Sequence, residues 1–306
     1  ISEPENAFAS DFYGDPTFIV HGGRIYAKTL SGGPQELGVF DLDGQALAAP
    51  RMEVSGVGQI VPWDDGVLVR HYSYLAPNSW MLFDGSQTSK HPLSSTSAVS
   101  FGDYRVVREF ATSRDGTKIP VNIILAKGAR LDGSNPLLLT GYGGYGISMA
   151  PGFRPVRKAW LEQGGIYAQA NLRGGGEYGE DWHRQGMLTK KQNVFDDFHA
   201  VMTHLVEAKY TRADKLAIEG GSNGGLLMGA MIAQHPADFQ ACISHVGIYD
   251  SVRSELSPNG AFNIPEFGTV ENPDHFRALY AYSPYHNLEK TAYPAILFMT
   301  GENDGR

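Results

Sequence analysis

The chain has 306 residues, 42% of which are hydrophobic, and it carries a formal net charge of −8 at neutral pH. This length and hydrophobic content predict one large or two ordinary domains with a substantial core, and the negative charge argues against nucleic acid and against an anionic membrane surface as partners. The only cysteine, Cys242, excludes an intrachain disulfide, and no apolar run reaches the ~18 residues that a membrane-spanning helix needs.

The first six residues are mostly polar and lack an initiator methionine, so we do not expect them to form a signal peptide. We expect the chain to begin inside a longer protein. Because a single cysteine suits a reducing compartment, the sequence predicts a cytoplasmic protein and leaves a periplasmic location open.

Residues 1–103 consist of short predicted strands separated by turns. Two segments repeat at an offset of 43 residues, because residues 23–26 recur at 66–69 and residues 40–41 recur at 83–84. A period of roughly 40–45 residues is typical of β-propeller blades, although two hairpins of a β-sandwich would give similar matches. Since a closed ring typically needs about 4–8 blades, we expect residues 1–103 to be the C-terminal blades of an incomplete propeller. The predicted strands are residues 16–20, 24–30, 37–42, 58–62, 67–74 and 79–84.

Residues 104–306 follow a different pattern, in which apolar strands alternate with helices. The clearest helix spans residues 194–208, because apolar side chains from Phe195 to Val206 share one face. Such alternation predicts a mostly parallel sheet that helices cover on both faces. A turn at residues 114–117 predicts that the first two strands form an antiparallel hairpin. The predicted strands are residues 106–112, 121–126, 137–140, 166–170, 216–219, 241–246 and 295–300.

A glycine-rich loop at residues 141–146 follows a predicted strand and formally matches the Gly-x-Gly-x-x-Gly pattern of dinucleotide sites. Such a site needs a helix that opens at the third glycine, whereas Pro151 and Pro155 interrupt the residues that follow, so we reject a nucleotide site. The Tyr142 phenol is instead a candidate oxyanion donor. A structural glycine turn with an aromatic plug fits the spacing equally well.

A second glycine-rich loop, residues 171–179, also follows a predicted strand. It lacks the Lys-Ser/Thr pair that holds a magnesium ion in phosphate-binding loops, so we interpret it as structural. His199 and His204 lie five residues apart on one predicted helix and do not share a face. The sequence therefore predicts no metal site there.

The most informative segment, residues 216–228, is a short apolar strand that enters a Gly-x-Ser-x-Gly turn before a helix-forming run. This pattern is the nucleophile elbow of an α/β-hydrolase, with Ser222 as the nucleophile. Side chains at Gly220 and Gly224 would clash in so sharp a turn. The backbone N–H of Asn223 lies at the helix start, where it can face a developing oxyanion. A glycine-rich helix entry is the alternative in a chain with 37 glycines, but the flanking strand and helix favour catalysis.

The acid of the catalytic triad belongs on the loop after a later strand, in the order serine, acid, histidine. Asp304 follows the predicted strand at residues 295–300, and Glu302 in the same loop is the alternative. We predict that Asp304 orients the histidine and stabilises its imidazolium.

All ten histidines precede Asp304 in the sequence. His235 lies at a predicted helix end and His245 near a predicted strand end, so both fit structural roles better than catalysis. We therefore expect the catalytic histidine to lie downstream of this segment, which looks incomplete at both ends. These 306 residues alone are expected to be inactive.

Taken together, the motifs resemble those of the prolyl oligopeptidase family of serine peptidases over residues 109–306. The matching segments are residues 113–120, 141–145, 171–179, 191–198, 220–225 and 282–287. The resemblance implies partial β-propeller blades at residues 1–103, followed by an α/β-hydrolase domain at residues 104–306. It also implies an enzyme that cleaves short peptides, often after proline, without a cofactor or metal.

By position, the resemblance assigns Ser222 as the nucleophile and Asp304 as the triad acid. It places the Asn223 N–H and the Tyr142 O–H in the oxyanion hole.

The resemblance also implies a substrate-binding set. Arg306 would bind a substrate backbone carbonyl, and Tyr145 and Ile248 would form walls of a proline pocket. Asn263 stands where the family has a tryptophan that stacks on proline, and the adjacent Phe262 is the alternative for that wall.

Two other functions stay open at this stage. An esterase or acyl-peptide hydrolase of the same fold would cleave acyl esters or blocked peptides, and a non-catalytic propeller protein would carry an inactive hydrolase domain. The sequence leaves the oligomeric state open.

Overall fold

The computed structural model describes residues 7–8, 17–52 and 54–302. The predicted site residues Asp304 and Arg306 lie outside these described residues.

The chain forms two compact units. The first unit comprises residues 1–106, 150–159 and 177–179, and the second comprises residues 107–149, 160–176 and 180–306. The assignment of residues 1–103 and 104–306 to two domains stays a prediction.

The first unit is built from short antiparallel strands. They are β1 (Ala7–Phe8), β2 (Phe18–His21), β3 (Arg24–Leu30), β4 (Gln35–Asp41), β5 (Ser55–Trp63), β6 (Gly66–Ser73), β7 (Ser79–Phe83) and β8 (Thr88–His91). In one sheet, β1 and β2 pair with opposite ends of β3, and β4 pairs with its other side. The second sheet has the order β5-β6-β7-β8. The two copies of the sequence repeat thus become two similar sheets, each with a repeated segment as an inner strand.

The two sheets of the first unit share one hydrophobic core. Its buried members are Tyr26, Leu37, Val39, Met52, Val57, Ile60, Val67, Val69 and Phe83. Tyr26 and Val69 occupy equivalent positions of the repeat, and both are at most 1% exposed. The repeat therefore reflects core positions that recur from one sheet to the next, which is the arrangement expected of blades.

A seven-stranded sheet forms the second architectural element. Its strands are β9 (Tyr104–Thr112), β10 (Lys118–Ala126), β11 (Leu137–Thr140), β12 (Ile166–Ala170), β13 (Leu216–Gly221), β14 (Ala241–His245) and β15 (Ala295–Met299). Their order is β15-β14-β13-β11-β12-β10-β9. The five strands from β15 to β12 are parallel to one another, and β10 runs antiparallel to β12. The predicted mostly parallel sheet is confirmed.

Helices connect these parallel strands. They are α1 (Arg157–Leu161), α2 (Glu180–Arg184), α3 (Gln192–Glu207), α4 (Asn223–Gln234), α5 (Gly260–Phe267) and α6 (Pro273–Tyr282). The predicted amphipathic helix is α3, which buries Phe195, Phe198, Val201 and Leu205. α4 is apolar on every side, and its residues from Asn223 to Ile232 are buried. No helix in the described part of the chain is long and apolar enough to cross a bilayer.

β15 differs from the buried core strand that the sequence predicts. It lies at one end of the sheet order, and Leu297, Phe298 and Met299 are 53%, 55% and 48% exposed. Among the described residues β15 pairs with β14 alone, which leaves its apolar side chains partly uncovered.

Candidate active site

Ser222 lies between β13 and α4 in a backbone conformation that residues other than glycine rarely adopt. Its φ is 58° and its ψ is −118°, and such a conformation stores about 1–3 kcal/mol of strain. A Cβ atom on Gly220 would lie 2.4 Å from the Gly224 carbonyl oxygen, and one on Gly224 would lie 2.8 Å from the Gly141 carbonyl oxygen. The predicted clashes are therefore confirmed. The turn leaves Ser222 partly exposed at the start of α4.

Tyr142 and Asn223 flank Ser222. Burial raises the pKa of the Tyr142 phenol above its ordinary value, while a hydrogen bond with the Ser222 side chain acts in the opposite direction. The phenol therefore keeps its proton at neutral pH and is available as a donor. The buried Asn223 side chain fixes the tyrosine, because its Nδ2 donates to the Tyr142 carbonyl oxygen at 2.6 Å. The Asn223 N–H belongs to the first turn of α4, where backbone N–H groups lack an intrahelical acceptor.

A buried ion pair supports the loop at residues 141–146. The Lys191 ammonium donates to the Gly143 carbonyl oxygen at 3.0 Å and to Oε1 of Glu266 at 2.8 Å, and the two side chains are 0% and 3% exposed. His183 Nε2 lies 2.8 Å from the other Glu266 oxygen. Burial alone would raise the pKa of Glu266, but the hydrogen bond with His183 and the charge of Lys191 lower it below its ordinary value. The carboxyl group thus stays ionised in a buried site.

The sequence pattern does not reveal this ion pair. Lys191 and Glu266 are separated by 75 positions, and Glu266 lies in a short helix that contains Pro265. Glu266 stands between Pro265 and Phe267, whereas Lys191 stands between Lys190 and Gln192, so nothing in either segment identifies the partner.

Tyr145 joins several residues predicted for the proline pocket. Its phenol donates to Oδ1 of Asn263 at 2.7 Å, and its ring stacks on Phe262 with centroids 6.0 Å apart and an interplanar angle of 16°. Phe267 meets the same ring edge-on at 5.7 Å. Phe262 is 71% exposed, so one aromatic face remains accessible. Ile248 lies half-buried in the loop after β14, and its place in the pocket stays a prediction.

A buried charge network fixes the glycine-rich loop after β12. Nη2 and Nε of Arg173 donate to the two Asp197 oxygens at 2.6 and 2.9 Å, and these side chains are 2% and 0% exposed. Ser113 also donates to Asp197 at 2.6 Å. On the outer side, the hydrogen bond from Arg173 lowers the pKa of Asp115 to about 2. These contacts agree with the structural interpretation of this loop.

His245 contacts Ser222 through its backbone. The His245 carbonyl oxygen accepts the Ser222 N–H at 2.9 Å, and its Nε2 lies 3.1 Å from the Glu219 carboxylate. This arrangement fits the structural role expected for His245. Since Asp304 and Arg306 lie outside the described residues, their roles as triad acid and carbonyl-binding arginine stay predictions.

A strained serine turn between a parallel strand and a helix defines the α/β-hydrolase class. A sequence profile of the prolyl oligopeptidase family matches residues 151–306. The chain is also 36% identical over 292 residues to a prolyl endopeptidase from Elizabethkingia miricola, with 93% of this chain and 41% of that protein covered. The chain belongs to the prolyl oligopeptidase family.

Solved structures extend the comparison. A prolyl endopeptidase structure superposes with a TM-score of 0.89 at 37% identity and covers 99% of this chain and 45% of its own. Prolyl oligopeptidase B from Galerina marginata, bound to a 35mer hydrolysis and macrocyclization substrate, gives a TM-score of 0.89 at 28% identity over 99% of this chain and 43% of its own. The predicted fold class, an α/β-hydrolase preceded by partial β-propeller blades, is confirmed. The chain spans less than half the length of these proteins.

Proposed function

We propose that this chain carries the nucleophile and the oxyanion hole of a serine peptidase that acts on short peptides, as a prolyl endopeptidase does. The observation that carries the proposal is the position of Ser222, held in a strained turn between the Tyr142 phenol and the N-terminal turn of α4. Family membership supports the same reaction class. The peptide substrates named for its relatives support the substrate class.

In this mechanism, Ser222 Oγ attacks the scissile carbonyl carbon while a histidine takes the hydroxyl proton. The negative charge moves to the carbonyl oxygen, which accepts hydrogen bonds from the Asn223 N–H and the Tyr142 O–H. The C–N bond then breaks, the amine leaves with the proton, and water hydrolyses the acyl-enzyme. We assign the orientation of the histidine to Asp304 and the binding of a substrate carbonyl to Arg306. In the order typical of this fold the histidine follows the acid, and all ten histidines of this chain precede Asp304.

Covalent labelling tests the assignment of the nucleophile. An active preparation that contains these residues is expected to react with a fluorophosphonate at Ser222, because only an activated serine attacks the phosphorus at a useful rate. Peptide mass spectrometry locates the adduct. The control is the Ser257→Ala variant, which lacks an exposed serine and should be labelled at Ser222 to the same extent. An adduct on another serine would contradict the proposal.

Tyr142→Phe is expected to lower kcat by about 10²–10³-fold while KM changes little, because the phenol donates to the oxyanion more strongly than to the ground-state carbonyl. The measurement is steady-state hydrolysis of a prolyl chromogenic peptide. Tyr249→Phe is a matched control, since that phenol donates to Ser244. An unchanged kcat for Tyr142→Phe would mean that Tyr142 only plugs a structural glycine turn, which is the alternative that fits its spacing in the sequence.

Phe262 is proposed as the apolar wall of the proline pocket, because its ring stacks on Tyr145 and keeps one exposed face. Asn263 instead accepts the Tyr145 hydrogen bond. Phe262→Ala is therefore expected to reduce the ratio of kcat/KM for matched prolyl and alanyl substrates by on the order of tenfold or more.

The control for this specificity prediction is Phe276→Ala, which removes another partly exposed phenylalanine. If Asn263→Trp raises proline preference while Phe262→Ala leaves it unchanged, then Asn263 and not Phe262 occupies the wall position. Acyl esters and blocked peptides in the same substrate panel distinguish an esterase or acyl-peptide hydrolase from a prolyl peptidase.

A further inference from the structure

Two histidines and an aspartate converge beside α3 and α4. His199 lies within α3, His235 follows the last residue of α4, and Asp238 lies in the next turn. Nε2 of His199 and Nδ1 of His235 lie 2.9 and 3.6 Å from the same atom, Oδ2 of Asp238. Since α4 separates Ser222 from His235 by ~20 Å at 1.5 Å per residue, this cluster is distinct from the candidate active site.

The cluster is accessible to a small ion. The side chains of His199, His235 and Asp238 are 32%, 27% and 48% exposed. Both imidazoles line a cavity of about 550 Å³, and Asp196, one turn before His199 on α3, lines it as well. Arg114 is also part of the lining. The cavity therefore offers an entry path and a second carboxylate near the two imidazoles.

We propose that His199, His235 and Asp238 form a binding site for a divalent transition-metal ion, with Zn²⁺ as the best-fitting ion and water as a further ligand. Imidazole nitrogen and carboxylate oxygen are the non-thiolate ligands that Zn²⁺ prefers. The three candidate ligand atoms lie within 4.8 Å of one another. A tetrahedral zinc with bonds of about 2.0–2.2 Å holds its ligand atoms roughly 3.4 Å apart. This separation lies between the two nitrogen–oxygen distances of 2.9 and 3.6 Å that His199 and His235 make with Asp238.

The imidazoles must reorient when the ion binds. Their rings are stacked with centroids 3.6 Å apart and planes at 5°, whereas a metal ion lies near the plane of each imidazole that binds it. At least one ring therefore turns about its Cβ–Cγ bond, which is a soft torsion.

The sequence pattern does not reveal this cluster, because the histidine nearest to His199 on the same helix is His204. His204 instead lies 2.7 Å from a Glu109 oxygen. The ligands come from α3 and from the cap and turn that follow α4, so an ion bound there joins α3 to the C-terminal end of α4.

Calorimetric titration of the purified protein with Zn²⁺ tests the proposal. The expected result is one saturable site per chain. Loss of an outer-shell partner typically weakens metal binding by about 10- to 100-fold. We expect at least this loss of Zn²⁺ affinity for each of the ligand variants His199→Ala, His235→Ala and Asp238→Asn. His204→Ala is the matched control, because it removes a histidine of the same helix and cavity and should leave the affinity unchanged.

Cobalt substitution gives an independent readout. Co²⁺ bound by the parent protein is expected to show the intense visible absorption of a tetrahedral site, and each ligand variant is expected to lose it. Zn²⁺ should also raise the midpoint of thermal unfolding of the parent but not of the three variants, whose folding is verified by circular dichroism. Absence of saturable binding, or binding that survives all three substitutions or depends equally on His204, would overturn the proposal.

Discussion

Ser222→Ala is expected to lower kcat for a prolyl peptide by on the order of 10⁴–10⁶-fold in an active preparation that contains these residues. The substitution removes the atom that forms the acyl-enzyme and leaves the oxyanion donors in place. KM is expected to change little, because the hydroxyl contributes to the transition state more than to substrate binding. Active-site titration with a slowly released substrate should show the loss of the acyl-enzyme burst.

The matched control is Ser257→Ala, which removes an exposed hydroxyl that donates to the Ser254 carbonyl oxygen. Circular dichroism of Ser222→Ala shows whether the fold is retained. Because the positive φ of Ser222 is unfavourable for alanine as well, the substitution should not relax the turn. Turnover within tenfold of the parent would mean that another residue is the nucleophile.

Arg173→Met is expected to lower the free energy of unfolding by about 3–5 kcal/mol, because it leaves the fully buried Asp197 carboxylate without its cation. Urea unfolding followed by circular dichroism measures the change. The double variant Arg173→Met with Asp197→Leu removes both charges. It is expected to be less destabilised than Arg173→Met alone, because replacing both members of a buried ion pair with apolar side chains leaves no unpaired charge in the core.

The control for this network is Asp115→Asn. Asp115 also pairs with Arg173, but its side chain is 48% exposed, so its loss is expected to lower stability by at most about 1 kcal/mol. Equal effects of Asp115→Asn and Arg173→Met would contradict the distinction between the buried and the exposed member of the network.

Much of the sheet could be predicted because burial on both faces produces continuous apolar runs. The runs at residues 137–140 and 166–170 predict strands with the same bounds as β11 and β12. In the first unit, the predicted strand at residues 24–30 has the same bounds as β3. Short helices were not predicted. α1 and α2 have five residues each, which is too short for a period of 3.6 to emerge, and α5 contains Pro265.

The candidate site could be predicted where its geometry is local in sequence. The turn at Ser222 needs glycines two positions away on either side, and that spacing is visible in the chain. Supporting contacts are not local. The side-chain bond from Asn223 to the Tyr142 backbone joins residues 81 positions apart, and the fold alone brings them together. The same holds for the ion pair that Lys191 forms.

The exposed edge of the seven-stranded sheet has a consequence for how the purified chain behaves in solution. β15 is the terminal strand among the described residues, and its apolar side chains are about half exposed. An uncharged edge strand of this kind is a template onto which the same strand of a second molecule can add through backbone hydrogen bonds. In a preparation of these 306 residues alone, self-association should therefore increase with concentration, and Phe298→Lys is expected to oppose it by placing like charges at the junction.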